Sequence, residues 1–140
     1  DIVVVQSDIE NLLRAKAAIF AGMNVLVNTL NISFSDIKKI YLAGGFGNYL
    51  DKENAIILGL IPDVNRDLVE FVGNTSIIGA KMAMLSKGAL DTAYTISKNI
   101  TYYDLITYPN YMDEFMSAKF LPHTDITKFP SIQKVVRKVR

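Results

Sequence analysis

The chain has 140 residues, half of them hydrophobic, so it has the size of one domain and enough apolar residues for a substantial core. Cysteine is absent, which excludes disulfides, thiol catalysis and thiolate metal sites. The net charge is +1, but four cations lie in the last eight residues, so the rest of the chain carries −3. This body lacks the concentrated basic face that a nucleic-acid-binding protein needs.

The first 30 residues predict a strand followed by a long helix. Residues 2–5 are four consecutive β-branched residues, which favour a buried strand. Ser7 and Glu10 have the spacing of a capping box at the start of the helix. Arg14 and Lys16 lie among small residues of this helix, where isolated cations are usually solvated. An apolar stripe runs along it, formed by Ile9, Leu12, Leu13, Ala17, Phe20, Met23, Val27 and Leu30.

A glycine-rich stretch follows the second predicted strand, residues 38–43. This strand ends in an apolar run and is followed at once by Gly44-Gly45-Phe46-Gly47-Asn48. Glycine permits a positive φ and allows another group to come close to the main chain. Ligands of open α/β sheets bind at the carboxyl ends of strands. The stretch therefore predicts either a nucleotide contact or a tight turn that merely needs glycine.

Three familiar phosphate-binding patterns are absent. A Rossmann fingerprint would need glycine where Leu50 stands, and a P-loop would need Gly-Lys, which does not occur. The sequence also has no Asp-x-Gly turn. We therefore assign no residue of this chain to phosphoryl-transfer chemistry.

The middle of the chain predicts alternating helices and strands. Asp51 should cap a helix over residues 52–58 that ends at Gly59, and residues 68–72 should form a strand. Helices are predicted over 77–86 and 89–99, and a strand over 101–106. Asn74, Thr75 and Ser76 open the first of these helices, at a junction suited either to bind an anion or simply to cap the helix.

The last part predicts a helix over residues 111–121, with a buried face formed by Met112, Phe115, Met116 and Phe120. Asp113 and Glu114 are adjacent and project differently, so they are poor candidates for a catalytic pair. His123, the only histidine, lies near Asp125; it predicts a metal or acid–base site or, as we expect, a structural histidine. Residues 131–140 read as a basic tail after a domain over 1–130: a frayed tail, which we expect, an edge element, or a docking segment for an acidic partner.

Five segments, in this order, resemble one protein family. The chain up to about residue 130 resembles the C-terminal ATPase region of the reductive activators of corrinoid proteins. These are ferredoxin-containing members of the acetate and sugar kinase, heat-shock chaperone and actin superfamily. The segments are Arg14-Ala15-Lys16-Ala17-Ala18-Ile19, the glycine-rich stretch through Asp51 with Glu53-Asn54-Ala55-Ile56, Gly59-Leu60-Ile61-Pro62-Asp63, Phe71-Val72-Gly73-Asn74-Thr75-Ser76, and Met112-Asp113-Glu114-Phe115 with Phe120-Leu121-Pro122-His123.

The resemblance implies an α/β fold: a ribonuclease-H-like lobe with a mixed sheet flanked by helices. It implies ATP, with Mg in the full-length protein, bound through its adenosine side by this lobe. The implied contacts are Gly44, Gly45, Phe46 and Gly47, with polar contacts from Asn48, Asn74 and Ser76, and with Lys16 or Arg14 as a wall of the pocket.

The resemblance also implies that the chain is part of a longer protein. A ferredoxin module with an iron–sulfur cluster and a first ATPase lobe would precede it, and ATP use would drive uphill electron transfer to the cobalt of a corrinoid protein serving a methyltransferase. We expect the separate chain to be inactive as an enzyme. No apolar run of eighteen residues and no amino-terminal signal pattern occur, so we predict a soluble, cytoplasmic protein. The alternative is a non-enzymatic interaction module that docks a corrinoid protein or methyltransferase without binding nucleotide.

Overall fold

The computed structural model describes residues 2–45 and 49–136. In that part of the chain, helices and strands are joined by short loops and 3-10 turns. No helix among these residues is both long enough and apolar enough to span a bilayer. The elements, in chain order, are α1 (Gln6–Thr29), β1 (Ile40–Ala43), α2 (Lys52–Ile57), β2 (Val69–Gly73), α3 (Thr75–Leu85), α4 (Lys87–Asn99), α5 (Tyr111–Ala118) and α6 (Pro130–Val136).

Strands β1 and β2 form a parallel pair. Leu42 lies opposite Phe71, and the register then shifts so that Ala43 lies opposite Gly73. Parallel neighbours need a crossover connection, and α2 lies within it. This arrangement confirms the predicted α/β class, and both strands lie within two residues of their predicted ranges. Within the described residues the sheet is parallel rather than mixed.

Helix α1 packs against α5 and supplies much of the core. Ala17, Phe20 and Val27 are buried as the apolar stripe predicts, whereas Ile9 and Leu12 near its start are exposed. The buried core cluster consists of Ala17, Phe20, Ala55, Ile56, Ile61, Val64, Val69, Ala118, Phe129 and Ile132.

Helix α1 also begins earlier than predicted. The backbone N–H of Val5 donates to Oδ2 of Asp8 at 3.0 Å, so the helix starts at Gln6. Ser7 lies inside the first turn, and the predicted capping box of Ser7 and Glu10 is wrong. Asp8 takes this position because a carboxylate both accepts the bond and stabilises the positive end of the helix dipole.

Helix α2 is capped at both ends by residues adjacent to it in the sequence. Oδ1 of Asp51 accepts a hydrogen bond from the N–H of Asn54 at 2.8 Å, which confirms the predicted cap. At the other end Gly59 has a φ of +74°, and the N–H of Leu60 donates to the carbonyl of Ala55 at 2.8 Å. This is the geometry of a Schellman motif, in which a glycine at the left-handed position ends the helix.

Two predicted strands do not form. Residues 2–5 have no regular structure and are exposed, because no strand in the described part of the chain lies beside them. β-branched residues favour a strand only where there is a neighbour to pair with. Residues 101–106 lead into a 3-10 turn over Leu105–Thr107, where the N–H of Thr107 donates to the carbonyl of Asp104 at 3.2 Å. Local turn bonds replace the predicted ladder there.

Helices α3 and α4 confirm the predictions over 77–86 and 89–99, and each begins two residues earlier than predicted. The Oγ of Ser86 caps α4 by accepting from the N–H of Ala89 at 3.3 Å. The two helices pack on each other but bury none of their residues. Their exposed apolar residues include Ile77, Ile78, Met82, Met84, Leu85, Tyr94 and Ile96.

The face of α5 that packs on α1 differs from the predicted one. Met112, Met116 and Phe120 are exposed, and only Phe115 of the predicted set is partly buried against the core. Ala118 is fully buried instead, because a small residue allows the two helices to come close.

The predicted frayed tail is wrong as far as Val136. Helix α6 continues the fold, and Ile132 is buried in the core. The carboxylate of Asp63 accepts hydrogen bonds from the N–H of Ser131 at 2.7 Å and from its hydroxyl at 2.6 Å. The side chain of Arg66 donates to the same carboxylate at 3.1 Å and to Glu53 at 2.7 Å, and this network holds α6 against the loop before β2. Residues 137–140, with three of the four terminal cations, lie outside the described residues.

Candidate functional site

The ends of β1 and β2 lie side by side and are bare main chain. The N–H of Gly44 donates to the carbonyl of Gly73 at 2.8 Å, which brings the two strand ends together. Gly44 has a φ of +101° and Gly73 a φ of +67°, conformations that glycine adopts without strain. A Cβ placed on either residue, or on Gly45, would meet nothing within 4 Å. We call Gly44, Gly45, Gly73 and Asn74 the strand-end platform; its glycines face open space.

Helix α3 begins at this platform. Oδ1 of Asn74 accepts a hydrogen bond from the N–H of Ile77 at 3.2 Å, so the predicted helix cap is confirmed. Thr75 and Ser76 lie in the first turn, at the positive end of the helix dipole. First-turn amides can donate hydrogen bonds to an oxyanion or to the hydroxyl oxygens of a sugar, and the adjacent bare main chain lets such a group come close.

An apolar cleft of about 370 Å³ adjoins the platform on the side of α1. This volume falls within the range of about 300–1,000 Å³ typical of small-ligand sites. The cleft is lined by Ile19, Tyr41, Leu42, Ala43, Leu50, Leu60 and Ile61.

Three predicted contacts, Phe46, Gly47 and Asn48, lie outside the described residues. Of the other predicted site residues, the structure brings Gly44, Gly45, Asn74 and Ser76 to the same end of the sheet. It also adds Gly73, which was not among the predicted contacts. The signal was present, because glycine at a strand end often provides a positive φ.

The side chain of Lys16 contacts the segment after α5 and not the strand-end platform. It is 1% exposed, and its Nζ donates to the carbonyl oxygens of Phe120 and Pro122, each at 2.5 Å. Burial lowers the pKa of this ammonium to about 8. Arg14 is exposed and lies 3.6 Å from Glu10 on the surface of α1. The expectation of a solvated cation is therefore met by Arg14 and is wrong for Lys16.

His123 belongs to the core rather than to the strand-end platform. It is 6% exposed, and its Nδ1 accepts a hydrogen bond from the N–H of Asp125 at 2.9 Å. Its Nε2 lies 3.6 Å from Oε2 of Glu114, a carboxylate that also pairs with Lys128. Burial, and then the charge of Lys128, lower the pKa of His123. Within residues 2–45 and 49–136, no cluster of three or more histidine or acidic side chains is arranged to hold a metal ion.

The donor set at the platform fits a nucleotide better than a metal cluster. The first-turn amides of α3 suit sugar and phosphate oxygens, the glycines let a ligand come close, and the adjoining cleft offers apolar surface. The chain contains no cysteine, so it supplies no thiolate for an iron–sulfur cluster.

Comparison with known proteins identifies the family. A family model described as the C-terminal domain of RACo, the ASKHA domain, matches residues 1–133. The chain is 35% identical over 116 residues to the corrinoid activation enzyme RamQ of Eubacterium limosum, covering 83% of this chain and 20% of that protein. It is also 35% identical over 98 residues to the [Co(II) methylated amine-specific corrinoid protein] reductase of Methanosarcina barkeri, covering 70% of this chain and 18% of that protein.

A solved structure of a reductive activator for corrinoid, iron–sulfur protein is similar with a TM-score of 0.89 and 44% sequence identity, covering 94% of this chain and 21% of that one. The chain thus spans about a fifth of the length of the relatives it matches. Its mixture of helices with a parallel sheet is consistent with the predicted ribonuclease-H-like lobe. The chain belongs to the family of RACo C-terminal ASKHA domains, as its glycine-rich strand end and flanking segments predict.

Proposed function

We propose that this chain is the adenosine-side lobe of an ATP-dependent reductive activator of corrinoid proteins. The observation that carries the proposal is the strand-end platform, where Gly44 and Gly45 leave the main chain open beside the first turn of α3. The relatives, which are named as corrinoid activators or reductases, support the activator role.

In this proposal the platform binds and orients the adenosine of ATP. The absence of side chains at Gly44 and Gly45 lets the nucleotide approach the backbone. Asn74 keeps its Nδ2 available for a polar contact while its Oδ1 caps α3, and Ser76 adds a hydroxyl in the same turn. The family resemblance adds contacts from Phe46, Gly47 and Asn48, which lie outside the described residues.

The chemistry of the whole protein would be divided among its parts. Mg and the phosphate-side groups would belong to another ATPase lobe, and an iron–sulfur module would hold the electron. ATP, when bound, supplies the free energy for uphill reduction of the cobalt corrinoid; this chain contributes binding and the shape of one side of the site. The names of the relatives support a corrinoid protein as the partner. A methyltransferase that this corrinoid protein serves is the other partner in the proposal.

Titration of the chain with ATP by calorimetry tests the proposal, with Gly45→Val as the variant. The wild-type chain should bind ATP, and Gly45→Val should abolish binding without loss of stability, because the added side chain fills the open space and its Cβ meets nothing within 4 Å. Gly88→Val is the matched control, since Gly88 lies in α4 and has only an ordinary contact of 3.8 Å with Ser86. Equal ATP binding by wild type and Gly45→Val would overturn the proposal.

A second candidate function is partner docking without nucleotide. The exposed Met112 and Met116 of α5, with Phe120 just after that helix, favour it, because methionine-rich surfaces adapt to protein partners. This function predicts binding to a corrinoid protein that is unchanged by ATP or by Gly45→Val but weakened by Met116→Lys. A pull-down with a purified corrinoid protein, with and without ATP, separates the two functions.

A further inference from the structure

Three separate segments meet at the ammonium of Lys16. The lysine extends from α1 to the carbonyls of Phe120 and Pro122, which follow α5. A Cβ on Gly59 would lie 2.2 Å from the carbonyl oxygen of Pro122 and 3.0 Å from Nζ of Lys16. The Gly59 turn is therefore in direct contact with both the lysine and the carbonyl that it binds, with no space left between them.

This junction lies at one end of the segment that carries the strand-end platform. Helix α2 lies between the platform and the junction in the sequence, and the Gly59 turn follows its last residue. Leu60, directly after Gly59, lines the cleft beside the platform. Ile19, one turn beyond Lys16 on α1, lines the same cleft. A shift of the junction would therefore move the end of α2 and two residues of the cleft lining, Leu60 and Ile19.

The ammonium at the junction is held by carbonyls rather than by an acid. Within the described residues no carboxylate lies within 4 Å of Lys16. The titratable group facing it is His123, on the segment after α5, whose pKa Lys16 helps to lower. His123 in turn lies beside Glu114 of α5, which pairs with Lys128. Burial lowers the pKa of Lys16 itself to about 8, so its charge is lost within a mildly alkaline range.

We propose that Lys16 is a positioning residue for the strand-end platform: it fixes Gly59 against the segment after α5 and thereby sets the position of α2 and of Leu60, which lines the cleft beside that platform. The ATP part of this inference rests on the proposed function. A charged donor makes a stronger hydrogen bond than a neutral one by about 1 kcal/mol. Loss of the proton therefore lowers the equilibrium constant for forming the junction about fivefold.

The test is a pH titration by NMR of the whole chain, wild type and Lys16→Met, with ATP affinity measured in parallel. In wild type, the amide signals of Gly44 and Gly45 should shift with a midpoint near that of Lys16, about 8. ATP affinity should fall about fivefold through the same transition. Lys16→Met should give shifted, pH-independent Gly44 and Gly45 signals and the weaker affinity at every pH. Lys98→Met, an exposed lysine of α4, is the control and should resemble wild type.

Several results would overturn the inference. If the Gly44 and Gly45 signals of wild type do not respond to pH, the inference is wrong, and this result does not depend on whether Lys16→Met folds. Equal ATP affinity in wild type and a folded Lys16→Met would also overturn the inference. A loss confined to ATP and absent with adenosine would replace the positioning role by direct phosphate contact. If the glycine signals titrate but wild type binds no ATP, the positioning role stands and the proposed function fails.

Discussion

Alanine at Gly59 should be among the most damaging single substitutions in the described part of the chain. The residue has a φ of +74°, which costs an L-residue about 1–2 kcal/mol. The new Cβ would also lie 2.2 Å from the carbonyl oxygen of Pro122, a main-chain atom that cannot rotate away. Overpacking of this kind costs about 1–3 kcal/mol more. We expect Gly59→Ala to lower the free energy of unfolding by about 2–5 kcal/mol.

Substitutions at two other glycines distinguish the cost of the positive φ from the cost of the contact with Pro122. Gly73 has a φ of +67°, but a Cβ added there would meet nothing within 4 Å, so Gly73→Ala should lose only the conformational part, about 1–2 kcal/mol. Gly79 lies within α3 with open space around it, so Gly79→Ala should raise stability by about 0.5–1 kcal/mol. Urea unfolding followed by far-UV circular dichroism measures all three. A loss for Gly59→Ala no larger than that for Gly73→Ala would show that the contact with Pro122 adds no cost.

Three further predictions concern a histidine, a helix cap and the attachment of α6. The pKa of His123 is lowered by burial, so in NMR its imidazole should stay neutral below its ordinary titration range, with the proton on Nε2 because Nδ1 accepts from Asp125. Since the unfolded state then binds more protons, stability should fall as pH falls below about 6.5. Asn74→Ala should cost about 1 kcal/mol in urea unfolding through loss of the α3 cap. Asp63→Ala should release α6, with a loss of about 2 kcal/mol and faster proteolysis near Ser131.

These predictions have one control variant, at an exposed carboxylate, and two outcomes that would contradict them. Asp113→Ala removes an exposed carboxylate of α5 and should change neither stability nor proteolysis. His123→Gln should remove the decline of stability over the histidine range of pH; an unchanged decline would contradict the assignment to His123. An Asp63→Ala chain as resistant to protease as wild type would show that Asp63 does not hold α6.

The sequence predicts features whose causes are local. Asp51 caps α2 and Asn74 caps α3 because each cap depends on an amide three residues away. Gly59 ends α2 for the same local reason. The turn at Gly44 and Gly45 was also predictable, because an apolar run and the glycines that follow it are adjacent in the sequence. The strand itself is only half-buried, with Tyr41 and Ala43 exposed.

Features that depend on distant contacts were not predictable in this way. Lys16 is 104 and 106 residues from the carbonyls that it binds, so its burial has no local signature beyond the small residues around it. The apolar pattern of α5 did not show which of its faces meets α1, and Ala118 rather than Met116 is buried. Residues 2–5 have the composition of a strand, but a strand forms only where another is available for pairing.

Nucleotide binding at the strand ends is tested most directly by an ¹⁵N-resolved NMR titration of the whole chain with ATP. We predict that the largest shifts fall on Gly44, Gly45 and the first turn of α3, and that they disappear in Gly45→Val. No shifts at these positions at millimolar ATP, or shifts concentrated around His123 instead, would contradict the claim that the strand ends form a nucleotide site.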